Sequence, residues 1–280
     1  MDDNTYYVEQ AEPDYKARSY NWKTAIGLQR VDGLTPSEYL IETANANISG
    51  EITLGEAERR IAEYYEQKPT DTDDERRSEE ADKVSAHIAQ ILAGKTFKFA
   101  PSELLAVHRR LFDGVFDHAG KLRDCNLSKS EWVLGGESVV YDDYRTVRES
   151  LNYDFDREKA FDYSTLGERE TVDHIVAFIT ALWQIHPFRE GNTRTIAVFT
   201  IKYLRTFGYE LTNDTFEKHS LYFRNALVRA NFNSRKDGII ATQSYLNAFF
   251  ENLLFGGKHD LRNRDLHVSE SGLSDFENGD

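Results

Sequence analysis

The sequence predicts a largely helical protein that carries one short β-hairpin. Apolar residues recur three and four positions apart along most of the chain, and this spacing places them on one face of an α-helix. Proline, glycine and polar breaks separate these runs. Only the segment from Glu131 to Tyr141 differs, because two short runs rich in valine and aromatic residues flank Gly135 and Gly136, a pattern typical of a β-hairpin.

The composition argues against several classes of protein. The 280 residues are 40% hydrophobic, which is enough for a substantial core. A formal net charge of -14 disfavours binding to nucleic acid or to anionic membranes, since both attract a positive surface. No apolar run approaches the roughly 20 residues of a membrane helix. The single cysteine, Cys125, and the lack of a basic-then-apolar start lead us to expect a cytoplasmic protein.

The first third of the chain divides into two regions. Residues 1–21 are polar and show no repeat, so we expect a loosely docked lead-in. Residues 22–95 are predicted to be helical. Turn and capping residues place helices after Pro36 and Thr53, which together make a helical hairpin, and a third amphipathic helix covers Glu75 to Leu92.

Residues 96–255 are predicted to form the main domain, and residues 256–280 an acidic, disordered tail. Pro101 opens the first helix of the domain, because proline is favoured in the first helical turn. His108 on this helix is interpreted as an ordinary packed histidine. Further helices are predicted at Tyr144–Tyr153, Leu221–Ala230 and Thr242–Leu254.

The central feature of this domain is a nine-residue stretch, His186 to Arg194, between two apolar helical patterns. The helix before it, Thr171 to Ile185, is predicted to end where Pro187 follows the histidine. A second helix is predicted to begin near Asn192. The stretch is therefore a tight junction that ends at a helix amino terminus, where anions bind.

The residue types of this junction suit a phosphate chemistry. The unperturbed pKa of a histidine side chain is about 6.5, so His186 is a residue type that suits a general base. Glu190 is an oxygen ligand of the kind that Mg²⁺ prefers together with phosphate oxygens. The amides from Gly191 to Arg194, with the side chains of Asn192 and Arg194, form an anion site. Each residue alone also has an ordinary structural reading, and their joint occurrence favours the site.

The same stretch resembles the signature of the Fic family, His-Pro-Phe-any-Asp/Glu-Gly-Asn-Gly/Lys-Arg, at every position except Thr193. The segment His118 to Arg123 is similar to the family's Ala-Gly-any-any-Arg segment. The predicted hairpin lies where Fic proteins carry a flap. The resemblance covers residues 96–254.

This resemblance implies an all-α core that binds ATP with Mg²⁺ and transfers AMP to a hydroxyl group of a target protein, or of the chain itself. It implies His186 as the general base, Phe188 as the core anchor of the loop, and Glu190 as the magnesium ligand. The implied nucleotide contacts are Gly191, Asn192, Thr193 and Arg194. The flap, with Val139, Val140 and Tyr141 as its candidate edge, is expected to dock the target by strand addition.

Two departures from the family signature leave alternative functions open. Thr193 replaces a glycine, and Ala197 stands where many members carry a second arginine for the γ-phosphate. A Fic-fold enzyme with a changed donor, transferring phosphate or another nucleotide, and a non-catalytic nucleotide-binding module therefore remain as alternatives.

The inhibitory Ser/Thr-x-x-x-Glu-Gly/Asn pattern of autoinhibited members has no clean copy in this sequence. Its nearest matches are Leu28–Gly33 and the carboxyl-terminal Glu277-Asn278. We therefore predict a site that the usual glutamate does not restrain, although the helical hairpin after Pro36 could still cover it.

Overall fold

The computed structural model describes residues 12–68 and 72–271 of the chain, and in these residues the regular structure is helical. The predicted all-α class is confirmed. The α-helices are α1 Tyr15–Leu28, α2 Glu38–Ser49, α3 Leu54–Gln67, α4 Asp73–Ala93, α5 Pro101–Leu111, α6 Val147–Lys159, α7 Glu168–Ile185, α8 Asn192–Thr206, α9 Thr215–Ala230, α10 Ser244–Leu254 and α11 Val268–Ser271.

Helix α8 is the centre of the fold. Every residue from Asn192 to Leu204 is buried, and α4, α5 and α7 pack around this helix. A helix that is enclosed on all sides has little freedom to shift. The loop between α7 and α8 is therefore held at a defined place in the core.

The amino-terminal helices pack onto this core. Helix α1 contacts α4 and α9, and its Trp22 is fully buried and donates an indole hydrogen bond to Asn47 of α2 at 2.9 Å. The predicted lead-in is therefore wrong from Tyr15 onward. Its apolar face was not visible in the sequence because polar residues such as Asn21 and Thr24 are also buried there.

The predicted β-hairpin is also wrong in its secondary structure. A 3-10 helix occupies Trp132–Leu134, and the two arms meet in a backbone hydrogen bond from Glu131 to Glu137, 3.0 Å long. Val133 and Leu134 are both buried. Two consecutive buried side chains suit a helical turn, whereas a strand sends neighbours to opposite faces. Among the described residues the one β-bridge joins Ser234 and Ile239.

The first part of the segment that was predicted to be a disordered acidic tail packs on the core. Leu261 and Leu266 are buried, and a short 3-10 helix, Asn263–Leu266, packs on α9. Residues 272–280 lie outside the described part, as does the Glu277-Asn278 match. No helix of the described residues is both long and apolar enough to cross a bilayer.

Candidate active site

The backbone of the loop turns sharply at His186. Its φ of 49° makes it the one described non-glycine residue in the left-handed region, a conformation that costs about 1 to 2 kcal/mol. Arg123 holds the turn, because its Nε donates to the His186 carbonyl at 2.7 Å and its Nη2 to the Ile185 carbonyl at 3.2 Å. The Arg123 amide also donates to the Pro187 carbonyl at 2.9 Å. The segment from His118 to Arg123 thus fixes the position of the histidine.

The His186 ring has one nitrogen available for chemistry. Its Nδ1 lies 3.3 Å from the Trp183 carbonyl, which only accepts, so Nδ1 carries the proton and Nε2 carries the lone pair. Nε2 is buried and has no hydrogen-bond partner. The Tyr141 ring stacks on the imidazole with centroids 4.0 Å apart, and His186 is only 2% exposed. The ring is oriented as a base, but Tyr141 covers it.

Burial lowers the pKa of His186 well below 6.5, and the nearby positive charges of Lys129, Arg123 and Arg224 add to this effect. The imidazole therefore stays neutral at neutral pH. A neutral imidazole can accept a proton from a hydroxyl group.

This low pKa predicts a loss of stability in acid. Below about pH 6.5 the unfolded chain binds a proton at His186 and the native chain does not, so the free energy of unfolding falls as the pH falls, by at most about 1.4 kcal/mol per pH unit for this group. Urea unfolding between pH 7 and pH 5 measures it. His186→Asn removes this titrating ring and should reduce the slope, although buried His108, whose pKa burial lowers to about 4, still contributes in the same direction; an unchanged slope would contradict the assignment.

Gly191 turns the chain into α8 at a point of close packing. Its φ is 74°, and a Cβ there would lie 2.2 Å from Cζ of Phe112. We expect Gly191→Ala to destabilise the fold by about 2 to 5 kcal/mol, from the left-handed conformation and the overlap together. Gly208 is the control, since its φ is 87° with no atom within 4 Å of a Cβ. Gly208→Ala should cost only about 1 to 2 kcal/mol in urea unfolding, and equal losses would refute the packing argument.

The predicted anchor and two of the predicted nucleotide contacts brace the loop from inside. Phe188 is fully buried. The Asn192 side chain accepts from the Phe188 amide at 3.0 Å and donates to the Phe188 carbonyl at 2.8 Å. The Thr193 hydroxyl accepts from the Trp183 indole at 3.0 Å. The anchor role of Phe188 fits this geometry, whereas the side chains of Asn192 and Thr193 are occupied within the protein.

The Glu190 side chain is half exposed, and Lys129 pairs with it at 3.1 Å. The described residues contain no cluster of three or more metal-ligating side chains. A single carboxylate still fits Mg²⁺, because this ion keeps most of its waters and takes its other ligands from phosphates. In the described conformation the lysine ammonium is the cation at this carboxylate. Glu190 therefore suits a magnesium ion that arrives with a nucleotide.

Arg194 is buried and already paired. Its Nε lies 2.8 Å from Asp32 and its Nη2 lies 2.6 Å from Glu80 of α4. Nη1 donates to the amide oxygen of Gln29 at 3.1 Å. Asp32 belongs to the sequence that came nearest to the inhibitory pattern, Leu28–Gly33. An aspartate of that segment and a glutamate of α4 thus occupy this arginine, whereas the prediction concerned only the usual glutamate of the inhibitory pattern.

A cavity of about 540 Å³ adjoins these groups. It brings Glu190 and Arg194 together, whereas His186 is not among its lining residues. The remaining charged lining residues are Asp32, Arg77, Glu80, Glu131 and Arg224. The structure thus presents a polar cavity beside the helix start, with the histidine covered next to it.

The candidate flap edge alternates between core and solvent. Val139 and Tyr141 are buried, and Val140 is 82% exposed. In the described part of the chain no strand pairs with this segment. The exposed Val140 is the residue of the edge that a partner could contact.

Several residues of the site were not assigned a role from the sequence. Glu80, Lys129 and Arg224 lie far along the chain from the loop, and no local pattern marks them. Asp32 stands in Leu28–Gly33, the nearest match to the inhibitory pattern, but nothing there linked it to Arg194. The sequence did mark Arg123, since this residue closes the segment that resembles a family motif.

Comparison with known proteins agrees with these observations. The sequence model of the Fic/DOC family matches residues 98–204. The chain is 26% identical to protein adenylyltransferase VbhT of Bartonella schoenbuchensis, with 56% of this chain and 35% of that protein covered. It is 32% identical to the probable protein adenylyltransferase y4lH of Sinorhizobium fredii, with 45% of this chain and 62% of that protein covered. The chain thus spans about a third and about three fifths of these relatives.

Among solved structures, the N-terminal Fic domain of the Bep8 effector from Bartonella sp. 1-1C aligns with a TM-score of 0.45 at 18% identity, over 72% of this chain and 82% of that one. The family match includes the whole loop from His186 to Arg194 and the segment that holds it. Residues 98–204 of the chain therefore match the Fic/DOC family, and both relatives carry the name protein adenylyltransferase.

Proposed function

We propose that this chain transfers AMP from ATP to a hydroxyl group of a protein. The observation that carries the proposal is the His186 ring, whose Nδ1 is fixed on the Trp183 carbonyl and whose Nε2 has no hydrogen-bond partner, on the loop that leads into the amino terminus of α8. A proton acceptor next to an anion site is the arrangement that attack of a hydroxyl on a phosphate requires. The names of the two curated relatives support the same reaction.

The proposed reaction is a displacement at the α-phosphorus. The acceptor hydroxyl gives its proton to His186 Nε2, and its oxygen bonds to the α-phosphorus. The bond between the α- and β-phosphates breaks, and pyrophosphate leaves. Arg194 and the first amides of α8 stabilise the negative charge of the phosphates. Glu190 would hold Mg²⁺, which supplies further charge neutralisation when it is bound.

Two movements must precede this reaction. Nε2 has to become exposed, since it is buried in the described conformation, where the Tyr141 ring stacks on the face of the imidazole. Asp32 and Glu80 have to leave Arg194 before its guanidinium can bind a phosphate. The described conformation is therefore a restrained one. A target docked through the exposed Val140 of the flap would lie on the same segment as Tyr141.

Thr193 does not favour a changed donor. Its hydroxyl is used by Trp183, and Ala197 is fully buried in α8. Both departures from the family pattern thus lie inside the core.

Intact mass measurement of the chain and of candidate targets, after incubation with ATP and Mg²⁺, tests the proposal. Addition of AMP to either is expected. Addition of phosphate would replace the proposal with a changed donor. A nucleotide-dependent rise in melting temperature without any mass change would identify a binding module.

A further inference from the structure

The His108 ring is buried between two segments of the site. It is fully enclosed on α5 and stacks on the Phe188 ring with centroids 3.7 Å apart. One ring nitrogen faces the backbone of Gly120, and the other faces the backbone of Glu190. The ring therefore contacts the loop through both a side chain and a main-chain group.

The hydrogen bonds define which nitrogen carries the proton. The Gly120 amide donates to Nδ1 at 2.8 Å, so Nδ1 carries the lone pair. Nε2 then carries the proton and donates to the Glu190 carbonyl at 3.1 Å. One neutral imidazole thus joins the segment that holds His186 to the residue that carries the exposed carboxylate.

Few other contacts restrain Glu190. Its side chain is half exposed and pairs with the flexible Lys129, and the neighbouring Arg189 points to the exposed Asp124. The bond from His108 is partly buried, and such a hydrogen bond maintains geometry better than an exposed ion pair. Among the described hydrogen bonds, it is the one that holds the main chain of Glu190.

We infer that His108 is a positioning residue, which sets the place of Glu190 and so the affinity of the site for a magnesium–nucleotide complex. This inference rests on the proposed function, because it takes Glu190 as the magnesium ligand. Groups behind a metal ligand commonly change metal affinity by about 10- to 100-fold when they are removed.

Two substitutions separate the two hydrogen bonds of the ring. In His108→Asn the amide oxygen takes the place of Nδ1 and can accept from Gly120, but no donor reaches Glu190. In His108→Gln the amide nitrogen takes the place of Nε2 and can donate to Glu190. Both variants lose the stacking on Phe188, so a purely structural effect should be similar in the two.

The measurement is the calorimetric affinity for a non-hydrolysable ATP analogue, with Mg²⁺ and with a chelator. It is made on the wild-type chain and in the Asp32→Asn, Glu80→Gln background, which releases Arg194. Mg²⁺ should raise the affinity for the analogue in the wild-type chain. In His108→Asn we expect this increase to be smaller by about tenfold or more, whereas His108→Gln should keep most of it. Affinity in the chelator should stay the same in both.

Equal losses in the two variants, or a loss that is as large in the chelator, would overturn the inference while leaving the proposed function in place. Absence of nucleotide binding in the parent chain and in the released background would instead refute the proposed function, and the inference with it.

Discussion

Replacing His186 with asparagine is expected to lower the rate of AMP transfer by about 10²- to 10⁴-fold, the usual contribution of a general base. Asparagine tolerates the left-handed backbone of this position better than most residues. Its amide can donate to the Trp183 carbonyl as Nδ1 does, but it has no basic nitrogen at the place of Nε2. The substitution therefore removes the base and preserves the turn.

The rate is measured with α-labelled ATP, and nucleotide affinity by calorimetry. Affinity should change little, because Nε2 acts on the acceptor hydroxyl. His174 offers a control, since it lies on α7, the helix that ends just before His186, and pairs with the buried Glu158 at 2.8 Å. His174→Gln should retain transfer. Equal labelling by wild type and His186→Asn would exclude His186 as the base.

Releasing Arg194 from its carboxylates is expected to strengthen nucleotide binding. Asp32→Asn and Glu80→Gln together remove two charged partners of one guanidinium. Hydrogen bonds to charged groups contribute about 1.5 to 3 kcal/mol each, so freeing even one of them corresponds to an increase of about 10- to 100-fold in affinity. Transfer at low ATP concentration should rise in the same proportion.

The same double variant should be less stable without nucleotide, because Arg194 remains buried with fewer partners. Glu79→Gln is the control, as Glu79 precedes Glu80 on α4, is similarly buried, and pairs with Lys83 instead. It should leave affinity unchanged. If the double variant bound ATP no better than wild type, the two carboxylates would not restrain the site.

Much of the helical fold was predictable from local patterns. The start of α5 at Pro101 and the start of α8 at Asn192 were both confirmed, because proline and glycine act on neighbouring backbone. The flap was predicted as strands since its composition is β-rich, yet Val133 and Leu134 both enter the core. Burial of two consecutive residues depends on what packs above them, which no local pattern contains.

The sequence by itself determined where the candidate site lies and which groups are proposed to carry its chemistry, because the nine residues from His186 to Arg194 are contiguous and their residue types limit what they can do. Tertiary structure alone decided how those groups are used. The partners of Arg194 include Glu80 and Gln29, which lie 114 and 165 positions away in the chain. Tyr141 covers His186, and the hydroxyl of Thr193 faces Trp183 rather than a ligand. Such contacts arise when distant helices pack together, so the restraint on the site emerges only in the folded chain.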